Sequence, residues 1–298
     1  MKNIFDKTEI NALKLKNRLF RSATWEALAD ESGHFDEEIY RIYDELSAGG
    51  VDCIISGFTS VSDDGRYFGV MARLSNDGLI AGHTRLTDSD IGTIHEMFIK
   101  AADRAVLAGY DGVQVHAAHG FFLSRYISPS HNRRADPKQL IIDIAKAIRA
   151  NHTELHITMK INSSDFTFGG LDENGSMRIC LACSPYLDSI EVSGNGTSVG
   201  GIKAGVNETY FKNFALDLAE KVDIPVILVG GHRSIENMNN VLNEGGIEYL
   251  SLPRPLIREP DLIDRWQRGE CSPAKCVSCN MCYRTPAHKC IFRSRGIE

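Results

Sequence analysis

Gly112-Val113-Gln114-Val115-His116-Ala117-Ala118-His119-Gly120 reads as a buried strand that runs into a turn and ends on two histidines. The run before it has a different period. Residues 88–108 place Ile91, Ile94, Met97, Phe98, Ala101, Ala102 and Ala105 on one stripe, and Gly109 suits the C-terminal cap of that helix. A helix followed closely by an apolar strand is the repeating unit of a parallel α/β protein. Working outward, further short apolar runs fall at 19–25, 51–57, 156–162, 189–194, 225–230 and 248–253. They are nearly continuous in apolar residues, as strands covered on both faces must be. Helical patterns at 138–150, 208–222 and 234–244 lie between them, the last opening on the N-cap residue Ser234. The expected fold is α/β, a (β/α)8 TIM barrel. Seven strands can be read where a closed barrel needs eight. The third strand is not recognisable, and the stretch 69–85 is where it would have to lie.

Composition sets the boundaries. The 298 residues are 43% hydrophobic and 24% charged, enough to build a sizeable core without covalent staples. A formal charge of -6 argues against nucleic acid or an anionic membrane as partner. No apolar run approaches membrane-spanning length, and Met1 to Asn11 carry charges where a leader peptide would be apolar. The expected location is cytoplasmic. Cys53, Cys180 and Cys183 sit among apolar neighbours and read as small buried hydrophobes, whereas five more cysteines crowd between Cys271 and Cys290. In a reducing compartment such a cluster suggests metal before disulfides. The expected organisation is therefore a barrel over 1–268 and a cysteine-rich tail over 269–298.

In a barrel the C-terminal strand ends share one face, and chemistry sits there. Those ends gather Ser22, Ala23 and Thr24; Gly57; His116 and His119; Lys160; Ser193 and Gly194; Gly230 and Gly231; and Arg254. Gly230-Gly231 just before a helix N-terminus, with Arg254 after the next strand, suits a phosphate. A tight turn would also use that glycine pair. On a strand, His116 and His119 would point to opposite faces, so both reach one ligand only if the chain turns after Ala118. If it does, their imidazoles can polarise a carbonyl oxygen. Lys160, inside a buried strand, needs a partner; Glu191 and Asp165 are the candidates. A lysine there can also tune a bound cofactor, or form a Schiff base.

These motifs, in this order, resemble the Old Yellow Enzyme-type NADH:flavin oxidoreductases. The likeness rests on Leu15-Lys16-Asn17-Arg18, Ser22-Ala23-Thr24-Trp25-Glu26 and Ala108-Gly109-Tyr110-Asp111-Gly112-Val113. It continues through His116-Ala117-Ala118-His119-Gly120, Asn132-Arg133-Arg134, Ile190-Glu191-Val192-Ser193-Gly194 and Arg254-Pro255-Leu256. The resemblance implies an FMN-holding barrel, often a homo-oligomer, that takes hydride from NAD(P)H and reduces an activated C=C bond such as that of an enone or enal. By position, His116 and His119 would hold the substrate carbonyl. Lys160 and Ser22 to Thr24, with Gly57, Ser193 and Gly194, would line the flavin. Gly230, Gly231 and Arg254 would hold its phosphate. The sequence departs from the family in three places. The family's proton-donating tyrosine is Phe121, which has no proton to give, so Tyr126, Tyr67 or water must serve. The third strand, ending Gln-x-x-His-Ala-Gly-Arg, survives only as Ala81-Gly82-His83-Thr84-Arg85. The Tyr-Gly-Gly-Ser…Glu-Asn-Arg segment expected after Arg134 is missing.

Cys276-x-x-Cys279-x-x-Cys282 followed by Cys290 suits a 4Fe–4S cluster or zinc. The tail resembles the cluster-binding tail of the 2,4-dienoyl-CoA reductase-like branch. Two other functions compete with the flavoenzyme: a catalytically silent flavin- or metal-binding barrel, and a flavin-free phosphate-binding lyase using Lys160.

Overall fold

The computed structural model describes residues 1–61, 87–132, 134–194 and 205–297. The chain opens with a small antiparallel hairpin, β1 (Thr8–Ile10) and β2 (Leu13–Leu15). Seven parallel strands follow: β3 (Leu19–Arg21), β4 (Cys53–Ile54), β5 (Gly112–Ala117), β6 (His156–Asn162), β7 (Ser189–Ser193), β8 (Val226–Val229) and β9 (Ile247–Ser251). All seven lie within or beside the apolar runs read from the sequence. Their order across the sheet is β4-β3-β9-β8-β7-β6-β5. Chain order therefore runs around a curled sheet, and the place between β4 and β5 is where one more barrel strand belongs. The stretch 69–85, with Tyr67 and Ala81 to Arg85, lies outside the described residues. Every residue of β6, β7 and β8 is buried, which is why these strands read as apolar runs interrupted only by residues such as Lys160 and Glu191 that find partners inside the barrel.

The helices form the outer layer. α1 (Glu37–Ala48) starts at Asp36, whose carboxylate accepts from Glu38 N at 2.8 Å. α2 (Asp88–Leu107) has a reciprocal cap between Thr87 and Asp90, and buries Ile94, Ala101, Ala102 and Ala105 of the stripe. A short α3 (Phe122–Ile127) follows β5, and α4 (Gln139–Asn151) precedes β6. α5 (Glu173–Cys183) buries Cys180 and Cys183 on its inner face, and burial pushes both thiols up, away from ligation. α6 (Lys212–Ala219) is shorter than its pattern at 208–222, because Thr209 adopts a left-handed conformation (φ 54°) that no helix includes. α7 (Ile235–Glu244) is capped by Ser234 as expected. α8 (Arg254–Arg258) and α9 (Leu262–Gln267) close the barrel chain, and a final turn, α10 (Ile291–Ser294), lies in the tail.

The hairpin fills the N-terminal end of the barrel. Ile10 and Leu15 pack with Phe20, Ile227 and Tyr249 into a cluster separate from the main core. That end is sealed with hydrocarbon, so polar groups inside the barrel meet the opposite end. The tail does not hang free. Ala274 N donates to Arg233 O, Lys275 N to Glu259, and the Arg233 guanidinium to Cys276 O and Ser278. Further along, His288 meets Trp25 O, Lys289 pairs with Glu38 and Arg293 with Glu45, while Arg258 lies over the Phe292 ring. No helix among the described residues is long and apolar enough to cross a membrane.

Candidate active site

Strand register assembles the centre. His116 pairs with Lys160, Lys160 with Glu191, Glu191 with Ile227, and Ile227 with Tyr249. One row across five strands thus runs from hydrocarbon to charge to imidazole. Lys160 Nζ donates to Ser22 Oγ at 2.6 Å and to Glu191 Oε1 at 3.2 Å. Ser22 Oγ donates to the same carboxylate at 2.7 Å, and Gln114 Nε2 donates to its other oxygen at 2.8 Å. Of the two partners considered for Lys160, the structure selects Glu191. Burial by itself raises the Glu191 carboxyl, but Lys160 and the bonds from Ser22 and Gln114 outweigh it and hold the group below the usual carboxylate range.

The two histidines come together as the turn required. β5 ends at Ala117, and His119 takes a left-handed conformation (φ 62°), followed by Gly120 at φ 76°. The rings lie 5.3 Å apart between centroids. His119 is fastened twice: its backbone N donates to Asn162 Oδ1 at 3.1 Å, and its Nε2 lies 2.8 Å from Ser193 Oγ. His116 is fastened by packing alone, stacked on Phe58 and tilted against Phe121. Both of its ring nitrogens are shut off from solvent with no hydrogen-bond partner among the described residues. Burial, then the nearby Lys160 ammonium, pushes His116 down to about 3. Burial of the ring, then Lys160 and the neighbouring His116, lowers His119 as well. Both imidazoles are neutral at ordinary pH.

The remaining candidates divide. Thr24 Oγ1 donates to Ser22 O and receives the Arg21 guanidinium, beside half-buried Ala23. Gly57 and Gly194 are required by protein neighbours. An added Cβ would lie 2.4 Å from Glu26 Oε2 in the first case and 2.3 Å from the Phe211 ring in the second. Gly230 and Gly231 both take positive φ (126° and 80°). A Cβ on either would strike the Tyr210 ring, at 2.9 and 2.7 Å. Arg254 donates to Tyr210 Oη at 3.0 Å and to Asn280 Oδ1 at 2.5 Å. Tyr210 therefore touches all three phosphate candidates, a contact that the sequence hinted at only through the glycine pair. Tyr126 is buried in α3 against Phe122 and has no ring contact with His116. Phe121 occupies that place, 5.3 Å from the His116 ring.

Cys276, Cys279, Cys282 and Cys290 line one cavity with Arg254 and Asn280. Burial, then Cys276, pushes the Cys282 thiol up to about 11 against the pull of Arg254. No three His, Cys, Asp or Glu side chains among the described residues are close enough to hold a single metal ion. Cys271 is exposed and stands apart. A second cavity of about 430 Å³ lies beyond Trp25, between α1 and the tail. Its charged walls are internally neutralised by the pairs Glu38–Lys289, Glu45–Arg293 and Arg41–Glu37.

Comparison with known proteins follows this geometry. Residues 84–139 match the model of the NADH:flavin oxidoreductase / NADH oxidase family. A 4,4'-dithiodibutanoate disulfide reductase from Rhodococcus erythropolis is 23% identical over 98% of this chain and 95% of its own length. That alignment spans 389 residues against the 298 present, so the relative carries internal residues this chain lacks. The NADH-dependent flavin oxidoreductase iliE of Hypocrea jecorina (strain QM6a) is 29% identical over 58% of the chain and 48% of its own length. The chain spans about half the length of this and several other curated relatives it matches. The Old Yellow Enzyme homologue from Zymomonas mobilis superimposes with a TM-score of 0.74 at 17% identity, covering 91% of this chain and 94% of that one. Together these findings show a TIM-barrel fold like that of the Old Yellow Enzymes and a likeness in sequence, over residues 84–139, to the NADH:flavin oxidoreductase / NADH oxidase family.

Proposed function

We propose that this chain is an FMN-dependent oxidoreductase that takes hydride from NAD(P)H and passes it to an activated C=C bond of an enone- or enal-like small molecule. The observation that carries this reading is His116, a neutral imidazole whose two buried nitrogens have no hydrogen-bond partner among the described residues, one register step from a buried ammonium. An orphaned polar group in a packed interior is costly unless a ligand satisfies it. The residues present fit FMN. Gly230, Gly231 and Arg254 would hold the phosphate; Ser22, Ala23, Thr24, Lys160, Ser193 and Gly194 would border the ring, with Gly57 shaping the wall. Bound FMN supplies the atom that accepts hydride from nicotinamide and returns it to the acceptor. His116 and His119 then act as N–H donors to a carbonyl oxygen, drawing electrons from the conjugated bond. Their neutrality is what this task needs, because each ring keeps one proton and stores no charge.

Lys160 is committed elsewhere. Its Nζ is bound by Ser22 and the Glu191 carboxylate, whereas a Schiff-base lysine must present a free amine. Phe121 bears on the acceptor. With no phenol beside His116 among the described residues, an acceptor whose product needs no proton on carbon suits the site as a second reading. A disulfide is of that kind, as in the name of the Rhodococcus relative. For the tail, a 4Fe–4S cluster is the better reading than zinc. Tetrahedral zinc at ~2.3 Å per bond draws its sulfurs to ~3.8 Å from one another, a compactness not met here, while a cluster holds its four thiolates around a larger body.

The test is a visible spectrum of the purified full-length protein, before and after anaerobic NADH or NADPH. A flavin band that bleaches is expected, with a broad shoulder beyond it if the tail holds iron–sulfur. Folded protein that stays colourless with added FMN would defeat the reading. Relative turnover of an enone and a disulfide then decides between acceptors. His116→Ala is expected to lower kcat/KM for an enone by roughly 10²- to 10³-fold. An unchanged value would remove His116 from the site.

A further inference from the structure

We propose that Tyr210 is a phosphate ligand, completing the cradle begun by Gly230, Gly231 and Arg254; the assignment rests on the flavin reading above. Thr209, a β-branched residue held at φ 54°, turns the chain sharply just ahead of α6. Such a conformation is costly for threonine and persists only where the surroundings impose it. Tyr210 follows that turn and comes to rest across the ends of β8 and β9. Its ring lies so close over Gly230 and Gly231 that neither position admits a Cβ. Phe211 supports the ring edge-on at 5.4 Å.

The hydroxyl explains what the placement is for. A guanidinium only donates, so at 3.0 Å from Arg254 Nη2 the phenolic oxygen is the acceptor. Its own proton is therefore left to donate to something else. Arg254 uses a second N–H on Asn280 and keeps the rest of its donors. A phenolic O–H, guanidinium N–H groups and a glycine pair with positive φ thus meet at the ends of adjacent strands, in the quarter of a barrel where phosphate is commonly bound. A phosphate dianion needs several donors at once, and this cluster offers them from three separate chain segments.

The experiment separates phosphate from ring. FMN and riboflavin are titrated into the flavin-free full-length protein, wild type and Tyr210→Phe, by quenching of flavin fluorescence. The phenylalanine variant keeps the ring over the glycines and removes only the hydroxyl. It is expected to weaken FMN about ten- to a hundredfold, the range for a lost bond to a charged group, and to leave riboflavin unchanged. Unchanged or tighter FMN binding would overturn the proposal and make the tyrosine a packing piece or a plug. Equal weakening of FMN and riboflavin would overturn it too, by showing a general loss of the pocket. Wild-type protein that binds neither compound would instead sink the flavin reading and this assignment with it.

Discussion

Lys160→Met is expected to destabilise the protein by about 3–5 kcal/mol, the cost of breaking a buried ion pair from one side. The side chains of Lys160 and Glu191 are 3% and 0% exposed, so solvent cannot take over the abandoned charge. Ser22 and Gln114 would still donate to Glu191, which is why the expected loss is not larger. The penalty should also shrink in acid. Without Lys160 the largest opposition to burial is gone, leaving only the bonds from Ser22, Gln114 and Ser251, and the folded-state pKa of Glu191 is expected to rise above its unfolded value. The folded variant then binds a proton that the unfolded chain does not, and acid relieves it. Lys160→Met/Glu191→Gln should recover most of the loss. Urea denaturation at pH 7.5 and 5.5 of all three proteins measures each claim, and a single variant within 1 kcal/mol of wild type would show that the pair carries no such role.

Acidification should unfold the wild-type protein through histidines. His116 is pushed down to about 3 and His232 to about 4, both chiefly by burial, and His156 is lowered by burial as well. In each case the folded pKa lies below the unfolded value of ~6.5, so the unfolded chain binds protons that the folded one refuses. The stability they contribute is complete above pH ~6.5 and drains as pH falls toward the folded values, at up to ~1.4 kcal/mol per pH unit for each histidine. His116 and His232 alone imply a loss on the order of 3 kcal/mol between pH 6.5 and 5, before most carboxylates titrate, and His156 adds to it in the same direction. His232 Nε2 donates to Leu228 O and has no carboxylate partner, whereas His156, with Nε2 at 3.0 Å from Ser189 Oγ, has Asp188 4.0 Å from its Nδ1, which works against the lowering. A urea midpoint that stays level from pH 6.5 to 5 would contradict this. His116→Asn should remove one proton from the slope. Because His116 stays neutral throughout that range, its own titration should leave no limb in the pH profile of acceptor reduction.

The strands were legible because a parallel barrel buries both faces, and β6, β7 and β8 wrote that burial as apolar runs. α1 was not, because Glu37, Glu38, Arg41, Asp44 and Glu45 interrupt a stripe of which only Ile39 and Leu46 are fully buried. At the strand ends, residue types could be collected from position alone. Their pairing could not. That His116, Lys160 and Glu191 form one row follows from register, which arises from contacts between strands tens of residues apart. Tyr210 was hidden for a related reason. It fell inside a stretch with helical periodicity, and only the left-handed Thr209 detaches it from the helix and turns it toward Gly230. The sole hint available was the glycine pair itself, which needs something close above it as much as it needs a tight turn.

The left-handed backbone at His119 narrows what evolution or a designer can put there. Most side chains pay for that conformation with a clash at Cβ, and the few that tolerate it best are glycine, asparagine, aspartate and histidine. Glycine brings no donor, and aspartate brings a charge of the wrong sign for a developing oxyanion. Asparagine alone keeps an uncharged N–H on a short tether. The alphabet that combines low strain with an uncharged N–H at this position therefore shrinks to two letters by local geometry, before substrate has any say, and a library that samples all twenty residues there would give mostly members with a strained turn, at a cost of roughly 1–2 kcal/mol.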